Sequence, residues 1–334
     1  MSYNRLTCAY NIAGTSSFRL SSRALLRFRP DKGFGKNLQN LNDEERRLCI
    51  PDEGKIFGQT DQAGAEALVV AYLCKYGRLR ELFINKIKSH VYVALHIYKD
   101  FWAAELGLPN LNDYLYSPIN KLSTLKYWNE LSTMIKKDSI RYYVGKKTCH
   151  ASNYGIGPIT LQLTILKDTS GALALSVKEC KELLGSYHNI FPEIRQWHIE
   201  IQEELKRTRT LKNLFNFPHQ FHQPFGEELW KAGYAFIPQS TVATITNIAI
   251  TNLQNRLDQG DPILNSLDLL ANGHDSILYQ CFPEKKDIIK EEVEKEMKVK
   301  LKNDRGEEFT MGVETNFGMN WGKFHPTDNP EGLK

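Results

Sequence analysis

Residues 267–282, LDLLANGHDSILYQCF, constrain the fold more than any other stretch. Two apolar, β-leaning halves flank Asn272–Gly273, a residue pair suited to a tight chain reversal. The reading is an antiparallel hairpin with His274, Asp275 and Ser276 at or just past its turn. KIFGQTD, residues 55–61, reads as a further short strand that ends at Asp61. Helical periodicity elsewhere places helices on this antiparallel sheet, which makes the expected class α+β.

Those helices are expected from about Ala65 to Phe83, where Leu79, Leu82 and Phe83 keep the helical spacing, and from His90 to Trp102. Residues 103–135, rich in Asn, Pro and Tyr, look like an insertion. A strong helix is expected over 139–153, stopping where Gly155, Gly157 and Pro158 all oppose helix. Further helices are expected near 176–186, 193–207, 241–257 and 284–300, with a His/Phe/Pro loop at 214–228 and a last strand in FTMGVETNF. The first 50 residues read as irregular, with turn signals at SS and DKGFG.

At 334 residues, 41% hydrophobic and 25% charged, the chain has an ordinary globular composition. No apolar run approaches the roughly 20 residues of a membrane span. The start, MSYNRLTCAYNIAG, has no signal-peptide hydrophobic region, so the expected compartment is cytoplasmic. Six scattered cysteines without a C-x-x-C pair read as packed thiols. The net charge of +4 is uneven: residues 1–50 hold nine basic residues, among them Arg19, Arg27, Arg29, Lys32 and Lys36, against four acidic ones. Such a segment suits a phosphate backbone or, equally, a solvated tail.

Three constellations carry chemistry. In GQTDQAGAEALVVAYL, Asp61 and Glu66 flank the entry to an apolar helix; taken alone they could be a helix cap and a solvated acid. Asp61 and Asp275 each close a strand at a chain reversal, and adjacent strands would bring both carboxylates to one cation. Mg²⁺ is satisfied by one or two carboxylates plus waters and substrate phosphates. Tyr142, Lys146, His150 and Tyr154 recur every four residues and form one helical stripe drifting about 40° per step. That stripe is a poor core face; it reads as a good surface for a triphosphate and a stacked base or, alternatively, as an exposed polar helix.

An ordered series of motifs then resembles the polymerase region of family A DNA polymerases, the bacterial DNA polymerase I type also common in bacteriophages. TSSFRLSS (15–22) resembles T-x-x-G-R-L-S-S and is followed by NLQN (37–40); DQAGAEAL (61–68) resembles D-Y-S-Q-I-E-L-R. His90 and Ala94 match D-I-H-x-x-T-A, and KKTCHASNYG (146–155) resembles K-x-x-x-[FY]-x-x-x-Y-G. PQSTVATI (238–245), GHDSIL (273–278) and GMNWGKFH (318–325) resemble M-Q-G-T-A-A-D-I, V-H-D-E-L and G-x-N-W-x-x-x-H. The departures are Ala63-Gly64 for Ser-Gln, Leu68 for Arg, Tyr142 for an Arg (with Arg141 one residue out of register), His150 for an aromatic, and Ser276 for an acid.

The resemblance implies a palm at residues 1–100 and 231–334 and helical fingers at 101–230, with thumb and exonuclease domain absent. It implies a DNA-templated DNA polymerase using two Mg²⁺ ions held by Asp61, Asp275 and the Gln62 carbonyl, with Lys146 as a proton donor. Glu66, His90, Lys146, His150, Tyr154 and Gln62 would meet the nucleotide. Arg19, Asn37, Gln39, Asn40, Gln239 and His274 would meet primer–template DNA. The implied partners are primer–template, dNTPs and a separate upstream polypeptide carrying thumb or exonuclease; no membrane is implied. The alternatives are a single-subunit RNA polymerase, which the His-Asp-Ser form also resembles, and an inactive polymerase-like module that only binds nucleic acid.

Overall fold

A strand buried on both faces is largely apolar, and SILYQC carries Ile277, Leu278, Tyr279 and Cys281 with only Ser276 and Gln280 as polar members. The computed structural model describes residues 5–12, 14–23, 37–117, 122–135 and 139–334. Its central sheet has strands β1 (Ile56–Gln62), β2 (Asp268–Asn272), β3 (Ser276–Cys281) and β4 (Val313–Gly318), in the order β4-β1-β3-β2 and antiparallel throughout. All six residues of β3 are buried. Ile277, Tyr279 and Cys281 pack with Ala249, Leu253, Ile289 and Val293. Leu278 turns the other way, to Phe57, Leu38, Leu41 and Trp321. This two-sided alternation fixes the register, because a one-residue slip would exchange the two cores.

The chain divides into two compact units: Met1–Glu66 with Lys212–Phe217 and Phe236–Lys334, and Ala67–Leu211 with Pro218–Ala235. The first contains the sheet; the second is mainly helical. The larger boundaries between these units fall after Glu66 and after Ala235. Among the described residues no helix is long and apolar enough to cross a membrane. All six cysteines are free.

Several elements differ from the sequence reading for identifiable reasons. The helix expected over 65–83 is two helices, Ala65–Leu73 and Arg78–Ile84. Buried Arg80 donates to the carbonyls of Ala71, Tyr72 and Cys74, satisfying the end of the first helix. The Glu193 carboxylate accepts from the Leu79 N–H at the start of the second (2.8 Å). The helix expected over 90–102 likewise breaks at Tyr98, into Ser89–Ile97 and Lys99–Glu105.

The insertion at 103–135 contains the helices Leu111–Tyr116 and Leu122–Met134. Pro158 stops no chain direction; it opens an unanticipated helix, Pro158–Asp168, from its first turn, where proline's missing N–H costs nothing. The loop at 214–228 holds a short strand, Pro218–Gln220, and the next helix begins at Glu227, runs through Pro238 and ends at Asp258. FTMGVETNF is two strands, Glu308–Thr310 and β4. The early segment has a ladder of Ala9–Asn11 with Ser21–Arg23. The DKGFG turn, Arg27, Arg29, Lys32 and Lys36 lie outside the described residues.

Within the helical unit, the Ile140–Asn153 helix passes Ser89–Ile97 with Gly145 at the crossing. A Cβ at Gly145 would lie 2.6 Å from the Ala94 Cβ and 2.8 Å from its Cα. Backbone cannot swing aside as a side chain can, so Gly145→Ala should force the helices apart and cost about 1–3 kcal/mol. Urea unfolding checks this; an unchanged midpoint would mean that the crossing has slack.

Candidate active site

The sheet brings the two strand-end aspartates together. In the β1–β3 register Asp61 lies opposite Ser276, and the Gln62 N–H donates to the Asp275 carbonyl at 2.9 Å. The turn between β2 and β3 is closed by Gly273 N–H to the Ser276 carbonyl (2.8 Å) and by His274 N–H to the Asn272 side chain (2.9 Å). His274 takes a left-handed backbone, φ 76°, in which the Asn272 contact helps to hold a residue type that pays for that conformation. A Cβ on Gly273 would sit 2.1 Å from the Ser276 hydroxyl, so a larger residue there would have to turn that side chain aside.

Asp61 and Asp275 line a cavity of about 170 Å³ with Gln39, Gln59, Asn272 and Trp321. Loss of bulk solvent raises the Asp61 carboxyl above its ordinary range, partly offset by hydrogen bonds from Gln59 and Ser276. Water reaches Asp275 from the open side of its turn, yet the surrounding protein and then repulsion from Asp61 push it up to about 6. Two mutually repelling carboxylates in one cavity call for positive charge. Among the described residues no three His, Cys, Asp or Glu side chains converge as a ligand set.

Around this pair, Glu66 forms an ion pair with Arg19, both half-buried. Gln39 uses its amide internally: its oxygen accepts from the Ser22 N–H (2.9 Å), and its nitrogen reaches the carbonyls of Leu20 (2.9 Å) and Asn272 (3.0 Å) and the His274 ring (3.3 Å). It is a clip between the N-terminal segment and the β2–β3 turn. Asn37 caps the short turn Leu38–Asn40, whereas Asn40 is exposed and Gln239 half-buried. The Gln62 side chain is buried, and its amide nitrogen donates to the Val242 carbonyl and the Thr246 hydroxyl (3.1 and 2.7 Å).

In the helical unit, Ser139 caps the Ile140–Asn153 helix by accepting from the Tyr142 N–H. Its buried face is Val144, Gly145, Thr148, Cys149, Ala151 and Ser152, so Lys146 and His150 are exposed and Tyr142 and Tyr154 half-buried on the expected stripe. The His90 ring meets Tyr142 edge-on, centroids 5.3 Å apart. At the far end Asn153 is held twice: its side chain accepts from the Tyr187 hydroxyl (2.6 Å), and its carbonyl contacts His198 Nε2 (2.9 Å). Arg141 stacks on Phe101, 3.5 Å from the ring centre.

The sequence reading did not single out Gln59, Trp321, Arg46 or Glu314. Gln59 was within reach, because two residues along a strand share a face with Asp61. Arg46 also lines the cavity, and Glu314 lies opposite Asp61 across the β4–β1 pair. Such cross-strand neighbours have no local sequence signal.

A family model described as DNA polymerase family A matches residues 128–323. Among solved structures, the chain resembles the POL domain of Pol1 from M. smegmatis in complex with DNA primer-template and dNTP. The likeness has a TM-score of 0.65 at 17% identity and covers 96% of this chain and 49% of that one, so the chain spans about half its length. That likeness is one of fold. Among curated proteins, none matches. The family model spans more than half of the sequence and includes both the exposed helical stripe and the turn bearing Asp275, and on that match the chain belongs to DNA polymerase family A.

Proposed function

We propose that the chain carries palm and fingers elements of a DNA-templated DNA polymerase and extends a primer 3′ end with deoxynucleotides. The observation that carries this reading is the meeting of Asp61 and Asp275 at one cavity in a chain of this family. An all-oxygen donor set of two carboxylates and a backbone carbonyl fits Mg²⁺, and the mutual repulsion of the acids is what a divalent cation relieves. Asp61, Asp275 and the Gln62 carbonyl would hold two such ions. When bound, they lower the pKa of the attacking hydroxyl and stabilise charge on the transferred phosphoryl group.

The remaining tasks fall to positioning and electrostatics. Lys146, exposed at the end of a long side chain, would bind the triphosphate and give a proton to the leaving pyrophosphate, with His90 as a second triphosphate contact. His150 and Tyr154 would line the nascent base pair. Arg19, Asn37, Asn40, Gln239 and His274 would meet the primer–template, while Gln39 shapes that surface from beneath.

Glu66 would stand against the sugar 2′ position, fixed by its ion pair with Arg19. Glu66→Ala should therefore raise ribonucleotide use relative to deoxyribonucleotide by about 10- to 100-fold, at some cost in rate. Arg19→Ala should shift it in the same direction by removing the ion pair that orients Glu66. Steady-state incorporation of matched dNTP and NTP tests both the gate and the substrate class. Equal use of the two by the unaltered chain would favour an RNA polymerase, the reading that Ser276 beside Asp275 supports.

A further inference from the structure

Gln59 and Asp61 sit two residues apart on β1 and share one face of the strand. The Gln59 amide nitrogen lies 3.0 and 3.1 Å from the two carboxylate oxygens of Asp61. Its amide oxygen accepts from the Trp321 indole N–H at 2.7 Å. An indole nitrogen can only donate. The amide oxygen must therefore face Trp321, and the NH₂ group has one place left to point, at Asp61.

Trp321 is itself fixed. Its ring packs with Leu38, Leu41, Phe57 and Leu278, its backbone N–H donates to the Cys49 carbonyl (3.1 Å), and the Arg46 guanidinium lies over the ring at 4.8 Å. The sheet does not need these side-chain bonds, since β1 is paired along its length with β3 and β4. Both donor contacts of Gln59 end on one carboxylate that faces the cavity.

We propose that Trp321 and Gln59 form a positioning relay that holds the Asp61 carboxylate in its cation-binding orientation. Gln59 touches neither substrate nor cation; it acts through Asp61. The proposal rests on the reading of Asp61 as a metal ligand. Partners of this kind that hydrogen-bond a ligating carboxylate typically contribute 10- to 100-fold in metal affinity or activity.

The test uses the full chain bound to primer–template, with Mn²⁺ as the probe and free Mn²⁺ counted by electron paramagnetic resonance. Gln59→Met keeps the length and loses the donors, and Trp321→Phe keeps a ring and loses the N–H that orients the amide. Gln59→Met should weaken Mn²⁺ binding about tenfold, with melting temperature and primer–template affinity unchanged. Trp321→Phe should weaken it less. The double variant should be no worse than Gln59→Met alone, because both changes break one chain of contacts. Additive losses, or full Mn²⁺ affinity in both single variants while Asp61→Asn abolishes it, would overturn the relay and leave the metal site standing. Unchanged Mn²⁺ binding in Asp61→Asn would remove the metal site and the relay with it. If Gln59→Met fails to fold, the strand does depend on that side chain, and Trp321→Phe decides by the same readout.

Discussion

Asp61→Asn and Asp275→Asn are each expected to lower nucleotide addition by about a thousandfold or more, with primer–template binding nearly intact. Both carboxylates line one cavity, and charge stabilisation at a phosphoryl centre is worth several kcal/mol, at about 1.4 kcal/mol per tenfold in rate. Duplex binding draws on basic and amide groups, which neither change touches. Stability should move the other way. The surrounding protein and repulsion from Asp61 raise Asp275, though water reaches it, to about 6. A carboxyl whose pKa is higher folded than unfolded opposes folding progressively as pH rises from its unfolded value through 6. Asp275→Asn should thus melt no lower than the parent at neutral pH, and slightly higher. Pre-steady-state extension and a melting curve on the same preparation check both halves. Extension near the parental rate would rule out the acid pair as the reacting centre.

Lys146→Ala should lower the maximal rate about a hundredfold, the scale of a positioned proton donor, and raise the dNTP concentration for half-maximal rate. Lys146 is exposed, and the buried side of its helix packs through Val144, Thr148, Cys149 and Ala151, so the fold should be unaffected. Lys146→Arg should recover part of the dNTP affinity but little of the rate, because guanidinium keeps its proton far more firmly than ammonium. Kinetics across a dNTP series separate the two effects. A parental rate in Lys146→Ala would assign the proton to another donor.

What could be read from the sequence was local. The β2–β3 turn follows from Asn272 and Gly273, and the acid after it follows from the turn. The stripe of Tyr142, Lys146, His150 and Tyr154 follows from helical period alone. The break after Leu73 was hidden, because the groups that stabilise it belong to Arg80 and Glu193, and the latter comes from a distant helix. The helix expected over 241–257 starts earlier, at Glu227, and runs through Pro238, whose missing N–H gives no local sign that the helix continues across it. Resemblance supplied Gln39 as a DNA contact, but only the folded chain shows its amide used on Ser22, Leu20 and Asn272. Gln59 and Trp321 are 262 positions apart, and their contact exists only through the sheet.

The central claim is templated addition of deoxynucleotides at the Asp61–Asp275 site. It is tested most directly by presenting the chain with an end-labelled primer on a template of known sequence, Mg²⁺, and the four dNTPs one at a time. The expected result is a one-nucleotide extension with the complementary dNTP alone, lost in the Asp61→Asn, Asp275→Asn double variant. No extension where primer–template binding is measured, extension indifferent to the template base, or extension that survives the double variant would contradict it.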